Sequence, residues 1–149
     1  MIKKIFIPFI VSIFAFALIS CKKTETTTTT TTIQSETWVK LTVHTSNDVV
    51  RPNYTVLMFE TTAHQTPPTN TSPPVPKNPL PTIVRTAVSN SQGIAHFDLN
   101  DLVTSSTPKT YYFIAVQQDG SSYIWELPYM QVEANLKRGT MFMSSIFVR

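Results

Sequence analysis

The chain has 149 residues, of which 42% are hydrophobic, 12 are basic and 9 are acidic, so its formal charge is +3. This length predicts one domain with short appendages. The single cysteine excludes an internal disulfide and a zinc-finger type of site. The three glycines leave no material for a glycine-rich, phosphate-binding loop.

The N-terminus has the three-part pattern of a secretory signal. Lys3 and Lys4 are followed by an almost unbroken apolar run over residues 5–19. This run is shorter than the roughly 20 residues that a membrane-spanning helix needs. A positive start, a short apolar core and a cleavage site are instead typical of a signal peptide. We therefore predict a signal peptide over residues 1–20, whose four phenylalanines belong to no folded core.

The end of this segment carries a more specific motif. Leu18-Ile19-Ser20-Cys21 resembles the bacterial lipobox, in which a branched apolar residue and a small residue precede a cysteine. The resemblance implies that the Cys21 thiol receives diacylglycerol, that cleavage falls between Ser20 and Cys21, and that fatty acyl chains such as palmitate anchor the protein in a membrane. Each buried CH₂ of such chains contributes about 0.8 kcal/mol. The alternative is an ordinary secreted protein with a chance cysteine near its cleavage site.

Residues 21–36 would connect this anchor to the domain. A threonine tract from Thr26 to Thr32 has no apolar periodicity, which predicts a disordered, extended tether. Glycosylation of these threonines is the alternative to a plain spacer. Lys22 and Lys23 after the cysteine, together with the Thr-rich tether, are similar to lipoproteins of the Bacteroidetes, which implies the bacterial outer membrane. Only Glu25 represents the acidic cluster that favours surface export there, so periplasmic and surface orientations both stay open.

From residue 37 onward the sequence alternates with a period of two, and we predict a β-sandwich domain over residues 37–149. Val39, Leu41 and Val43 alternate with polar residues, as in a half-buried strand. The other predicted strands cover residues 54–59, 83–88, 94–99, 110–117, 122–127, 129–136 and 141–148. No window has convincing helical periodicity, and residues 99–105 come nearest. Seven to eight short strands separated by turns predict an all-β, antiparallel, immunoglobulin-like sandwich.

A proline-rich stretch interrupts the strands at residues 61–81. Its seven prolines forbid regular strand pairing and favour polyproline II structure, so we predict an exposed loop between two strands. A loop of this length in a compact domain is either disordered or functional. Both alternatives stay open from the sequence.

Several segments of the domain resemble carboxypeptidase-regulatory-like and transthyretin-like domains. Residues 39–44 and 47–58 look like the opening of that family, residues 86–97 are similar to its threonine–turn–glycine segment, and residues 111–116 to its tyrosine-led strand. The likeness covers residues 39 to about 118 and implies a prealbumin-like sandwich. The chain differs in lacking the usual first-turn glycine and in carrying the proline-rich insertion. Because the family consists mostly of structural, adhesive or ligand-carrying modules, the resemblance implies no catalysis.

The polar residues form no recognisable catalytic or metal-binding pattern. The histidines are His44, His64 and His96, and we expect those on strands to face solvent. A metal site would need two of them to converge with a carboxylate. His96 and Asp98 share one strand face, but the chain has no Gly-x-Ser-x-Gly nucleophile elbow. We therefore predict no enzyme activity, no metal and no cofactor.

Aromatic residues are the main binding candidates, because exposed rings stack on sugars or contact partner proteins. In the sixth predicted strand, Leu127 lies on the same side as two aromatic rings, so we expect that side to face the core. In the fifth, alternation predicts that one aromatic pair is exposed. The candidate binding residues are Trp38, Tyr111, Phe113, Tyr123 and Trp125.

Three hypotheses for function follow from these features. The first is a lipid-anchored interaction or structural module of the envelope that binds a protein or a glycan. The second is a small-ligand carrier similar to transthyretin, which would need an oligomeric channel. The third, a hydrolase or its accessory domain, has no assembled site in the sequence. From Ile33 onward eight basic residues balance eight acidic ones, so the domain is neutral and nucleic acid is excluded as a partner.

Overall fold

The computed structural model describes residues 35–65, 75–125 and 130–149. The predicted signal peptide, the lipobox cysteine and nearly all of the predicted tether lie outside these residues. Within them the chain forms β-strands and no helix, which confirms the all-β prediction. No helix in this part of the chain is long and apolar enough to cross a membrane.

The described residues contain ten strands, eight of which overlap the predicted ones. Residues 99–105, the nearest approach to a helix in the sequence, form a turn in which the N–H groups of Leu102 and Val103 donate to the Leu99 carbonyl. In chain order the strands are β1 (Trp38–Thr45), β2 (Thr55–Phe59), β3 (His64–Gln65), β4 (Val75–Pro76), β5 (Ile83–Val88), β6 (Ile94–Asp98), β7 (Lys109–Asp119), β8 (Ser122–Ile124), β9 (Gln131–Leu136) and β10 (Met141–Val148).

Two sheets enclose the main hydrophobic core. Sheet A has the strand order β10–β1–β6, and sheet B has the order β5–β2–β7, with β8 and β9 also paired to β7. The alternating apolar residues of β1 share one buried cluster with Met58 of β2 and Phe113 of β7. Phe97 of sheet A meets Phe113 of sheet B edge to face, with ring centroids 5.3 Å apart. Side chains of both sheets therefore fill one core, which confirms the sandwich character.

The first and last strands depart from the antiparallel prediction. β1 and β10 run parallel over their whole length, from Trp38 beside Met141 to Thr45 beside Val148. The pairs of β1 with β6, and of β2 and β9 with β7, are antiparallel. Side chains alternate identically in both kinds of ladder. Alternation in the sequence therefore does not predict whether two strands pair parallel or antiparallel. The direction of the pair depends on which distant strand lies beside β1.

A second, smaller core covers the other face of sheet B. Its fully buried members come from β2, β7 and the start of the proline-rich stretch, and its half-buried members come from the end of that stretch and from β8 and the residue after it. The buried members are Leu57, Phe59, Ala63, Ile114 and Val116, and those packed against them are Leu80, Ile83, Tyr112, Tyr123 and Trp125. The base of the stretch therefore belongs to the folded domain.

The expectation that the prolines exclude strand pairing is corrected at this base. His64 pairs antiparallel with Pro76 and Gln65 with Val75. The Lys77 N–H also donates to the Ala63 carbonyl at 2.8 Å. A proline is tolerated because both strands of a two-stranded ribbon are edges, where a missing N–H interrupts no ladder on the far side.

Candidate functional site

The structure separates the five candidate aromatic residues into three places. Tyr111 and Phe113 are 3% and 0% exposed and lie in the main core. Tyr123 and Trp125 are half-buried against the second core, as alternation in their strand predicted. Of the five, only Trp38 lies on the outer side of sheet A. These residues therefore form no common aromatic platform.

The predicted exposed aromatic pair on β7 is corrected by this arrangement. β7 has buried residues on both of its sides, with Phe113 in the main core and Ile114 in the second core. Tyr112, on the same side as Ile114, is half-buried against the second core. The cover over sheet B is the physical reason, because it leaves the middle of β7 no solvent-facing side. Neither Tyr111 nor Phe113 can stack on a glycan in this fold.

The outer side of sheet A is a candidate binding surface, and we call it the open face. It consists of the side chains of β1, β6 and β10 that alternate with the core residues of these strands. Strand register places Lys40 of β1 between His96 of β6 and Met143 of β10. Its members are Trp38, Lys40, Thr42, His44, Ile94, His96, Asp98, Met141, Met143, Ser145 and Phe147.

The open face exposes large apolar side chains on β10. Met141 is 65% exposed, Met143 is 72% exposed and Phe147 is 38% exposed. A sheet face toward water normally carries polar residues at such positions. Contiguous exposed apolar surface instead marks sites of interaction with other molecules, and flexible methionine side chains adapt to differently shaped partners. The arrangement fits contact with another protein.

Trp38 is held on this face by two neighbouring polar side chains. The Lys40 ammonium lies 4.8 Å from the centre of the indole ring, a cation–π contact. The His96 ring meets the indole edge-on, with centroids 6.2 Å apart. Because Lys40 occupies one side of the ring, Trp38 is not an open, flat surface of the kind that stacks on a sugar.

The two strand histidines have different environments. His96 is exposed, as predicted. His44 is only 8% exposed, which corrects the expectation that it faces solvent. Its ring packs on Phe147 with centroids 4.4 Å apart, and its Nδ1 lies 3.0 Å from the Thr45 carbonyl oxygen and 3.4 Å from an Asp48 carboxylate oxygen. Pairing with β10 and with the following loop covers this ring.

The pair suggested for hydrolysis is not assembled. Asp98 Oδ1 accepts hydrogen bonds from the main-chain N–H and the side-chain amide of Asn100, at 3.1 and 2.8 Å. This carboxylate therefore fixes the turn after β6, whereas His96 contacts Trp38. Within the described ranges, no three His, Cys, Asp or Glu residues are placed to hold a metal ion.

A groove of about 600 Å³ lies where β1 and β10 end. Apolar and polar side chains both line it, and Phe147 is shared with the open face. The Arg51 Nη2 donates to the main-chain oxygen of Arg149 across the groove at 3.3 Å. The lining residues are Thr45, Ser46, Asn47, Val49, Arg51, Met130, Phe147, Val148 and Arg149.

The loop that shapes this groove is held by backbone contacts. The Arg51 N–H donates to the Val43 carbonyl at 2.8 Å, and the Ser89 hydroxyl donates to the Arg51 carbonyl at 2.8 Å. Gly93, with φ of +74°, allows the close approach, since a Cβ there would lie 2.8 Å from the Val43 oxygen. The groove therefore has a rigid wall on the side of Arg51.

The exposed methionines of β10 were not among the predicted site residues. Residues 141–148 are apolar at both odd and even positions, whereas a strand with one solvated face should alternate. That departure from alternation is the signal in the sequence that points to Met141, Met143 and Phe147.

Comparison with known proteins gives no indication of a function for this chain. The chain matches no family model and no curated protein. Among the described residues, the open face and the groove are the two candidate binding sites.

Proposed function

We propose that the protein is a lipid-anchored, non-catalytic module of the bacterial envelope that binds a partner protein through the open face. The observation that carries this function is the exposure of Met141 and Met143, at 65% and 72%, beside Trp38. Burying such side chains against a partner removes apolar surface from water, which stabilises a complex by roughly 25 cal/mol per Å² before the costs of association.

The anchor and the finer fold class belong to the same proposal. The lipobox-like residues Ser20 and Cys21 support lipid attachment to the outer membrane, and residues 22–36 would tether the domain on its periplasmic or surface side. We assign the sandwich to the prealbumin-like type found in carboxypeptidase-regulatory-like domains, on the resemblance of residues 39–118. The parallel pairing of β1 with β10 is a further feature that can be compared with domains of the prealbumin-like type.

A protein partner fits the open face better than a glycan does. Sugar sites rely on unobstructed aromatic faces, and Trp38 is covered on one side by Lys40. The other four candidate rings lie in or against the two cores. Protein interfaces combine aromatic and methionine residues at their centre with polar residues around them, and this is the composition of the open face.

The anchor is tested by replacing its cysteine. Cys21→Ala should release the protein from membranes into the soluble fraction, because the thiol is the proposed site of lipid attachment. Ser35→Ala, in an exposed residue between the anchor and β1, is the control and should stay in the membrane fraction. Full membrane association of Cys21→Ala, measured by fractionation, contradicts the lipoprotein assignment.

The open face is tested by site-specific photo-crosslinking in the native envelope. A photoreactive residue at Met141 should give one discrete adduct with a different protein. The same residue at Val88, which is 58% exposed on sheet B, should not. Adding Trp38→Ala should remove the Met141 adduct while leaving the thermal unfolding transition cooperative. Equal adducts from Met141 and Val88, or none from Met141, contradict the docking role.

The groove supports a second candidate function, a small-ligand carrier. Its volume of about 600 Å³ lies in the range of small-molecule sites, and Val49, Met130 and Phe147 supply apolar contacts. A carrier predicts saturable binding of an apolar fluorescent dye that falls at least fivefold in Met130→Ser. The control is Val88→Ser, an exposed residue of sheet B outside both the groove lining and the open face. Equal dye binding by both variants contradicts a carrier function.

A further inference from the structure

The outer edge of sheet A is formed by β10, one of the longest strands of the described chain. β10 pairs with β1 on one side, and no strand within residues 35–65, 75–125 and 130–149 pairs with its other side. Its eight residues, MFMSSIFV, include no proline, no glycine and no charge. An edge strand of this length and composition is a template for pairing with another strand.

Backbone geometry shows which groups of β10 are available. The Trp38 N–H donates to the Thr140 carbonyl at 3.0 Å. In a parallel ladder a residue turns its N–H and its C=O to the same side. Even-numbered residues of β10 therefore bond to β1, and Met141, Met143, Ser145 and Phe147 turn their main-chain groups outward. The same four residues carry the open-face side chains of this strand.

Other edges of the sandwich are protected. β6 has only five residues, and Arg85 of β5 donates to its Asp98 carbonyl oxygen at 2.7 Å. β5, the edge of sheet B beside β2, carries the charged Arg85 in its middle. β8 has three residues. β9 carries Glu133 and is followed by two basic residues. Charged residues and short length are the usual ways to prevent edge pairing, and β10 has neither.

We propose that β10 pairs antiparallel with β10 of a second copy of this chain, joining the two A sheets into one six-stranded sheet. A two-fold axis at Ser145 pairs this residue with itself, Met143 with Phe147 of the other copy, and Met141 with Arg149 of the other copy. In this register the outward-turned groups of Met143, Ser145 and Phe147 face those of the other copy. A methionine also lies beside an aromatic ring at two symmetric places, which is a favourable contact.

Several observations favour a second copy over an unrelated strand as the occupant. The strand is uncharged along its whole length, so two copies meet without repulsion of like charges. The centred register leaves no outward N–H of β10 unmatched between Met141 and Phe147. Isologous contacts of this kind close after two copies and form no fibre.

The dimer goes beyond the proposed function and does not need it. Directly opposite residues in antiparallel strands lie on the same side of a sheet, so both open faces of the dimer point to the same side and remain accessible. Trp38→Ala tests the partner protein and should leave the dimer intact, because Trp38 lies on β1 and not at the edge. Failure of either proposal can thus be recognised separately.

The dimer is tested by disulfide trapping in the full chain carrying Cys21→Ala. Ser145→Cys should form a disulfide with itself on mild oxidation, because paired residues of this kind have Cα atoms about 5.5 Å apart, within the disulfide range. Met141→Cys is the matched control. It is 65% exposed, but its own copy would lie eight residues along the strand, about 27 Å away, so it should give at most one tenth of the adduct.

Light scattering on the same protein gives the second measurement. The parent should elute with about twice the 16.8 kDa mass of the chain. Met143→Lys should be monomeric and still unfold cooperatively in urea, because a lysine blocks the edge without touching a core. Its urea midpoint should equal that of the parent at dilutions where the parent is also monomeric, since only the dimer adds stability by mass action. A monomer in light scattering together with no Ser145→Cys adduct overturns the proposal. A dimer that cross-links more through Met141→Cys overturns the register. An adduct of Ser145→Cys only with another protein assigns the edge to a heterologous strand and overturns the homodimer.

Discussion

The outer faces of the two sheets differ in what covers them. On sheet B, the base of the proline-rich stretch and β8 lie over Leu57 and Phe59, and these two residues are fully buried. On sheet A, the described part of the chain leaves Met141 and Met143 at 65% and 72% exposure. Both faces carry large apolar side chains, so composition alone does not distinguish them.

The proline-rich stretch explains this difference, because its base covers the outer face of sheet B. Where the chain supplies its own cover, apolar residues contribute to stability. Where the described residues supply no cover, the same residue types are available for contact with another molecule. The proline-rich stretch is therefore structural at its base. The proposed binding surface is the open face of sheet A, on the opposite side of the main core.

The largest expected effect comes from emptying the covered face. Phe59→Ala should lower the free energy of unfolding by about 3–5 kcal/mol, since it removes a fully buried ring and leaves a cavity. Met143→Ala, on the open face, should change it by less than about 0.5 kcal/mol. Urea unfolding of both variants measures the contrast. Similar losses in the two would mean that the open face is also covered.

A smaller loss is expected when the cover is untied from the sheet. Gln131 Oε1 accepts from the Thr62 hydroxyl at 3.0 Å and from the Ala63 N–H at 3.1 Å. Gln131→Ala should cost about 1–3 kcal/mol, because it leaves a buried N–H unsatisfied. Asn135→Ala on the exposed side of the same strand is the control. No difference between them in chemical unfolding would show that these bonds do not hold the stretch.

The cover should also respond to pH through His64. Burial lowers the pKa of this histidine, and the nearby Glu133 carboxylate opposes the shift only in part. The unfolded chain therefore binds a proton more readily than the folded one, so stability is complete above about pH 6.5 and decreases as the pH falls toward the lower folded-state pKa. The protection factors of the Ala63 and Lys77 amides, which compare the observed exchange with the intrinsic exchange at the same pH, should fall over that interval in the parent.

His64→Phe is the matched variant for the pH experiment. It keeps an aromatic ring at the position and removes the titration, so the protection factors of the same amides should not change between pH 7 and 5. A slope equal to that of the parent would assign the pH response to another group.

The smallest effect on stability belongs to charges placed on the open face. At dilutions where the parent is monomeric, Met141→Lys combined with Met143→Lys should leave the unfolding midpoint within error, since both side chains already face water. Binding of an apolar dye should nevertheless fall severalfold, because the exposed apolar surface is lost. Lysines introduced at Val88 and Ile124, also exposed, provide the comparison. A larger decrease in dye binding from that pair would place the main apolar surface on sheet B.

Local features of the fold were predictable because they depend on neighbours in sequence. Alternation identified Val39, Leu41 and Val43 as inward residues, and the predicted bounds of the last strand, 141–148, are those observed. The turn at Gly93 adopts the positive φ that its sequence indicates. In each of these places, the local conformation is determined by steric limits on the backbone or by the two-residue period of a strand.

Long-range features were not predictable in the same way. The burial of Tyr111 and Phe113 depends on sheet A packing against sheet B. The burial of Ile114 on the other side of the same strand depends on a cover that includes Ala63 and Trp125, which are distant from it in sequence. The exposure of Met143 depends on β10 being an edge, which is a property of strand order. A strand with apolar residues on both sides is compatible with a double-sided core and with an open docking face, and only tertiary structure distinguishes them.

The parallel ladder between β1 and β10 has a consequence for how the chain folds. Its partners are separated by about a hundred residues, so closing this loop costs conformational entropy that no earlier contact in sheet A repays. Such pairing is slow. During synthesis, β1 can pair with β6 before residues 141–148 exist, but it can pair with β10 only after they have been made. Truncation before Met141 should therefore leave Trp38 and Lys40 at an unprotected edge of sheet A, and the shortened chain should aggregate more readily during folding.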